Sequence, residues 1–365
     1  MSYSRTVPYN SLPLLPPSVE LESKQILKKA IKANMVLAGL KSLAQRMPNQ
    51  GMLIDSIILQ EAKLSSEIEN IVTTSDDLYR AAADGMSASD PRTKEVLRYR
   101  EALWHGFKEL EKRPICTNLF IEVVSRIRKV DMEIRKVPGT ALKNSLGEVV
   151  YTPPEGEAVI REKLSNLETF IHADDDVDPL IKLAVIHYQF EAIHPFGDGN
   201  GRTGRILNIL YLVENGLLDI PVLFLSHYIL QKKAEYYNLL RQVTEHANWE
   251  EWILFMLTAV EVTAKQTHDR VIAIMNLMDE IGARLKVDAP KIYTKDLVEV
   301  IHKHPYCKIK FLEEESIAKR QTASEYLRQL GEMGILRPYK IGREMYYINH
   351  KLIDILSKEW SAAST

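Results

Sequence analysis

The chain has 365 residues, 45% hydrophobic and 26% charged, which is the range of a soluble globular protein with room for two or three domains. Its formal net charge of −2 excludes a bulk field that would drive it onto nucleic acid or membrane, so any basic surface has to be local. Cys116 and Cys307 lie far apart and support neither a disulfide framework nor a zinc site, and no apolar run reads as a signal peptide or a membrane span. A cytoplasmic location is expected.

Residues 1–18 hold Pro8, Pro13, Pro16 and Pro17 and read as an extended arm. An amphipathic helix is expected from about Val19 to Arg46, then a turn at Pro48-Asn49-Gln50-Gly51. A second helix, Met52 to Glu69, carries the apolar stripe Leu53, Ile57, Ile58, Leu64 and Ile68. Thr73-Thr74-Ser75-Asp76 reads as a stop followed by a new N-cap. The loop Ser87-Ala88-Ser89-Asp90 leads to Pro91, which suits the first turn of a helix running on through Glu95–Glu111. Between Val137 and Pro154 the helical habit breaks, and Gly147 with Val149-Val150-Tyr151 predicts a small β-hairpin. Helices resume at Glu157–His172, at Pro179–Ile193, near Arg202 and over Val262–Lys286.

The tail changes character. Helices are expected at Tyr293–Lys303, Ser316–Lys319 and Thr322–Met333, and strands at Ile335–Pro338 and Met345–Ile348. That order is a winged-helix pattern, with Ala318 packing its first helix and Leu327 and Leu330 facing inward. The fold class is therefore mainly α. The division is an N-terminal arm and helical region over 1–110, a helical core over 111–285 and a winged helix over 289–365.

Residues 194–205 read His194-Pro195-Phe196-Gly197-Asp198-Gly199-Asn200-Gly201-Arg202-Thr203-Gly204-Arg205. The residue before a proline is pushed out of the α region, so the Pro179–Ile193 helix should end at His194. Histidine titrates near neutrality and can take a proton from a hydroxyl. Asp198 is a hard oxygen ligand, and magnesium is commonly held by one or two carboxylates plus substrate phosphates and water. Gly199-Asn200-Gly201 can turn successive N–H groups inward as an anion nest. Arg202 and Arg205 are expected in the first turn of the next helix, on one face. That is the wrong end of the helix dipole for cations unless an anion binds there. Each residue alone has an ordinary explanation as helix stop, turn or surface charge. The set at these spacings describes a di- or triphosphate site beside a base. A P-loop is excluded, because no Gly-x-x-x-x-Gly-Lys-Ser/Thr is present.

The run resembles the signature of the Fic (filamentation-induced-by-cAMP) family, His-x-Phe-x-Asp/Glu-Gly-Asn-Gly-Arg-x-x-Arg, at every fixed position, and the resemblance extends over about residues 1–285. It implies a Fic-type helical bundle and transfer of AMP from ATP to a Ser, Thr or Tyr hydroxyl of a protein, with pyrophosphate leaving. His194 would be the catalytic base and Asp198 would hold Mg²⁺. Gly199, Asn200, Gly201, Arg202, Thr203, Gly204 and Arg205 would cradle the phosphates, with Arg205 on the γ-phosphate. Phe196 would pack the loop into the core. The hairpin over 139–152 resembles the family's flap, which docks the target segment by strand addition. Tyr236-Tyr237 resembles its tyrosine pair, which makes Tyr237 a candidate adenine contact.

Ser65, Glu69 and Asn70 match the family's inhibitory motif, Ser/Thr-x-x-x-Glu-Gly/Asn, N-terminal to the core as in class II. By resemblance Glu69, counted among the nucleotide-site residues, pairs with Arg205 and denies it to the γ-phosphate. In some relatives the corresponding glutamate supports AMP removal. Without the resemblance, Glu69 reads as a solvated carboxylate like Glu61 or Glu67. In the tail, Lys319, Arg320 and Arg328 could meet phosphates, while Glu313-Glu314-Glu315 opposes a strongly basic face. DNA binding stays open there against protein docking or dimer support, and a homodimer is compatible with the resemblance. Two other functions remain beside AMP transfer. One is a DNA-binding regulator with a nucleotide-sensing core. The other is the same pocket with different phosphate cargo. A sensor needs phosphate donors but no base, so His194 and Asp198 favour a transferase.

Overall fold

The computed structural model describes residues 3–47, 49–85 and 90–358. Pro48, Ser87, Ala88 and Ser89 of the expected turns lie outside the described residues, as does the side chain of Leu53 in the expected apolar stripe.

Residues 3–23 form no helix or strand, yet they pack rather than dangle. Leu12 and Leu15 are buried, Tyr9 N–H donates to the Thr152 carbonyl (3.0 Å), and Lys163 Nζ donates to the Leu12 carbonyl (2.8 Å). Helix α1 (Lys24–Gln45) starts later than periodicity suggests, because the Ser23 side chain caps it. Helices α2 (Gln50–Ile68), α3 (Ser75–Ala83), α4 (Pro91–Glu109) and α5 (Thr117–Arg128) follow. Thr74 caps α3 and Asp90 caps α4, with Pro91 in its first turn. α5 is not among the expected helices.

Strands β1 (Leu142–Lys143) and β2 (Val149–Tyr151) pair antiparallel as the expected hairpin. Then come α6 (Glu157–Ile171), α7 (Pro179–Ile193), α8 (Asn200–Glu214), α9 (Leu225–Gln231), α10 (Lys233–His246) and the 40-residue α11 (Trp249–Asp288). α1 runs along α11, and α7 packs on α6, α8 and α11. α7 has no single apolar side. All but two of its residues are buried, Lys182, His187 and Gln189 included, which marks the bundle's central helix. No helix among the described residues is long and apolar enough to cross a membrane.

The tail holds α12 (Lys295–Lys303), β3 (Tyr306–Cys307), α13 (Ile309–Glu314), α14 (Arg320–Glu332), β4 (Arg337–Ile341), β5 (Glu344–Ile348) and α15 (His350–Ser357). The strands form a sheet ordered β3-β5-β4, with Tyr306 opposite Ile348 and Tyr339 opposite Tyr346. The expected helix at Ser316–Lys319 is wrong. Ser316 takes a left-handed φ of 56° that ends α13, and the Ile317 N–H returns to the Leu312 carbonyl (2.9 Å). Ala318 therefore sits in the turn and not on the first helix. Leu327 and Leu330 do face inward, fully buried.

Candidate active site

The α7–α8 junction is built from α7 outward. Pro179 pre-sets the first turn of α7, and Asp178 accepts from the Leu180 N–H (2.8 Å). The helix stops at His194, which precedes Pro195 and takes a left-handed φ of 49° as the C-cap of α7. Arg135, which sequence reading missed, fixes the stop. It donates to the carbonyls of His194 (Nε, 2.7 Å), Pro154 (2.8 Å) and Ile193 (3.3 Å). The loop is closed by Asn200, whose amide accepts from the Phe196 N–H (2.9 Å) and donates to the Phe196 carbonyl (2.8 Å). Phe196 is fully buried. α8 begins at Asn200, two residues earlier than Arg202, with Gly199 at φ 83° as its cap. A Cβ at Gly199 would press on Val124.

That early start corrects the arginine geometry. Arg202 is in the first turn of α8 but Arg205 is in the second, and the two reach different helices. Buried Arg202 donates to Glu95 of α4 (2.6 Å) and lies 3.8 Å from Asp198. Arg128 of α5 bridges the same carboxylates, at 2.8 Å to Asp198 and 3.2 Å to Glu95. Asp198 itself is 56% exposed, so one of its faces stays open to a ligand.

Arg205 is buried and points at the end of α2. Its Nε donates to Ser65 Oγ (2.8 Å), and its Nη2 donates to the Ser65 carbonyl (2.9 Å) and to Glu69 Oε1 (2.8 Å). Glu69 is the C-cap of α2, and Asn70 follows with a left-handed φ of 61°. The Glu69 carboxylate lies so close to Gly201 that a Cβ there would collide with it. It thus occupies the N-terminal end of α8, where the backbone is ready for an anion. Lys233 at the start of α10, another residue the sequence did not flag, donates to the Ile68 carbonyl (2.6 Å) and steadies the C-terminal end of α2. Thr203 is buried, and its hydroxyl has no hydrogen-bond partner among the described residues. Gly204 is needed for α7, since a Cβ there would strike Glu191 and the Phe190 ring.

Electrostatics follow from this packing. Burial alone would raise the Glu69 carboxyl, but the Arg205 charge and hydrogen bond overcome it and hold the group below the usual carboxylate range. Burial pushes Glu191 up to about 7 against the pull of Arg205. Burial, with the charge of Arg135, pushes His194 down to about 4, so its imidazole is neutral and open to a proton at neutral pH. Glu61 does not behave as a solvated glutamate. It is buried against Tyr99 (3.3 Å) and the Ser226 N–H (3.2 Å), and burial pushes it up to about 7.

Tyr236 is buried, with its hydroxyl 2.9 Å from His187 Nε2. Tyr237 is 47% exposed beside it, with ring centroids 5.1 Å apart, and near enough for the Glu69 charge to help raise its hydroxyl.

Family models match in three consecutive stretches: Fic/DOC family N-terminal over residues 27–108, Fic/DOC family over 114–212, and the C-terminal domain of SoFic-like protein adenylyltransferases over 277–352. The chain belongs to the Fic/DOC family. It is 28% identical over 180 residues to a probable protein adenylyltransferase of Aquifex aeolicus, covering 49% of this chain and 45% of that one. It is 34% identical over 89 residues to the protein adenylyltransferase fic-1 of Caenorhabditis elegans, covering 24% and 16%. The chain spans less than half the length of these curated relatives. The fold is similar to a Fic family protein from Desulfovibrio desulfuricans (TM-score 0.58, 16% identity, 91% of this chain and 98% of that one). It is also similar to a Fic-domain signalling protein from Bacteroides thetaiotaomicron (TM-score 0.53, 20% identity, 66% and 95%). In this Fic chain the sequence motif marked His194, the open carboxylate of Asp198 and the glycine turn into α8. It did not locate Glu95, Arg128, Arg135 or Lys233, which are single charges on other elements and carry no local pattern.

Proposed function

We propose that the chain is a protein adenylyltransferase that moves AMP from ATP onto a Ser, Thr or Tyr hydroxyl of a protein and is held in check by Glu69. The observation that carries this reading is His194 at the head of the α7–α8 loop, whose arginine, Arg205, is already engaged by a carboxylate. His194 takes the proton from the target hydroxyl. The oxygen attacks the α-phosphorus, the bond to the β-phosphate oxygen breaks, and pyrophosphate leaves. The N–H groups of 199–201 and the guanidinium of Arg205 face the β- and γ-phosphates, and Tyr237 faces the adenine.

The cation implied by the family is Mg²⁺, and Asp198 would hold it. No cluster of three or more His, Cys, Asp or Glu side chains suited to a metal occurs among the described residues. A single open carboxylate therefore fits an ion that draws its other oxygens from the nucleotide and water. When bound, the ion neutralises charge on the phosphates. The pairing of Ser65 and Glu69 with Arg205 supports an inhibitory role for α2. The hairpin over 139–152 is proposed as the docking edge for the target segment. The division 1–110, 111–285 and 289–365 is retained as a proposal.

DNA binding by the winged helix draws less support. Arg328 is spent on Glu325 (2.6 Å) and on Glu332 of its own helix. The deciding experiment is incubation with α-labelled ATP. Label on protein that disappears in His194→Ala supports the transferase. No label from the wild type or from Glu69→Gly would overturn it.

A further inference from the structure

The C-terminal domain grips the helix that carries the brake. α12 and α15 pack directly on α2, and β3 packs on α3, the helix that follows it. Asn49, the N-cap residue of α2, donates to Glu299 of α12 (3.2 Å). Asp84, at the end of α3, accepts from the Tyr346 hydroxyl of β5 (2.8 Å) and pairs with Lys308 (3.1 Å). Tyr79 of α3 stacks on Tyr306 of β3, with centroids 6.4 Å apart, and its hydroxyl accepts from Gln60 of α2. A continuous contact thus runs from the sheet of the C-terminal domain through Tyr79 to the middle of α2. The same helix ends at Glu69, tied to Arg205 and Lys233. α2 is therefore clamped from two directions, at its C-terminal end by the cradle and along its earlier turns by the C-terminal domain.

We propose that docking of the C-terminal domain on α2 and α3 is a second lock on the brake, so that whatever levers this domain away releases Glu69 from Arg205. The inference rests on the inhibitory reading of Glu69. A helix held by two separate surfaces has two discrete ways to loosen, and a ligand acts on such an equilibrium only through its difference in affinity for the two arrangements. The interface suits this role. Its polar contacts, Asn49 on Glu299 and a part-exposed Asp84 with two partners, flank the buried Tyr79–Tyr306 stack, so the domain holds or releases α2 as one unit.

The test uses the full chain with Asp84→Lys, Tyr346→Phe, Glu69→Gly and the double Asp84→Lys/Glu69→Gly. Hydrogen exchange of α2 and transfer of label from α-labelled ATP are measured on each. Asp84→Lys is expected to speed exchange along α2 and to raise labelling about fivefold, the scale of losing one ordinary hydrogen bond. The double variant is expected to match Glu69→Gly within about twofold, since the second lock acts only through the Glu69 brake. Unchanged α2 exchange in Asp84→Lys overturns the proposal. So does faster exchange with labelling left at the wild-type level while Glu69→Gly labels strongly. Equal labelling in Glu69→Gly and wild type instead overturns the brake itself. Tyr346→Phe, which keeps the ring and removes only the hydroxyl, provides the same comparison at lower amplitude should the charge reversal unfold the domain.

Discussion

The loop at 194–205 and the face of α14 both present arginines, and they use them in opposite ways. Arg202 and Arg205 are buried and held by carboxylates from other helices, Glu95 and Glu69. Arg328 is exposed and pairs at i−3 and i+4 within α14. A guanidinium satisfied by its own helix is a surface charge worth little. One kept buried by distant partners at a helix N-terminus has been placed, at a cost in desolvation, where an anion is wanted.

The largest expected effect falls on the loop. His194→Ala should lower AMP transfer by about 10²–10⁴-fold, the span of a lost general base, measured in the Glu69→Gly background so that the brake does not mask it. Next comes Glu69→Gly alone, expected to raise labelling by about ten- to a hundredfold, as a buried hydrogen-bonded charge pair is removed. Glu95→Gln should cut transfer by about tenfold, since Arg202 and Arg128 lose the carboxylate that orients them, and a rise in nucleotide KM would place the defect in binding. The smallest effect belongs to α14. Arg328→Ala should leave transfer unchanged and move stability by less than about 0.5 kcal/mol. A large loss of transfer there would break the comparison.

The pH dependence sharpens it further. Burial and Arg135 push His194 down to about 4, so protonation is disfavoured in the folded protein. The neutral base is fully present above its ordinary range and is lost as pH falls toward about 4. Glu69 is held below the usual carboxylate range by the Arg205 charge and hydrogen bond, so the brake stays charged at neutral pH. Because the Glu69 charge raises His194, the acid limb of rate against pH in Glu69→Gly should lie below that of the wild type.

Much of this was legible in the residues. Proline before helix starts, the His-Pro stop and the glycine turn set α4, α7 and the loop, because each acts on the backbone locally. Thr74 announced the start of α3 for the same reason. The misplaced helix at Ser316–Lys319 failed because a left-handed serine carries no compositional mark. The first-turn placement of Arg205 failed because a glycine cap let α8 start early. Arg128, Arg135 and Lys233 were invisible because their partners are distant in sequence and known only once the helices pack.

The central claim is that Glu69 and a γ-phosphate compete for Arg205, and the affinities of ATP and ADP measure this directly. Titration calorimetry of wild type and Glu69→Gly, with Mg²⁺ present and no target protein, should find ATP and ADP bound alike by the wild type. In Glu69→Gly, ATP should bind about tenfold tighter than ADP, as the freed Arg205 gains a charge-assisted contact. A wild type that already prefers ATP as strongly as the variant does would contradict the account.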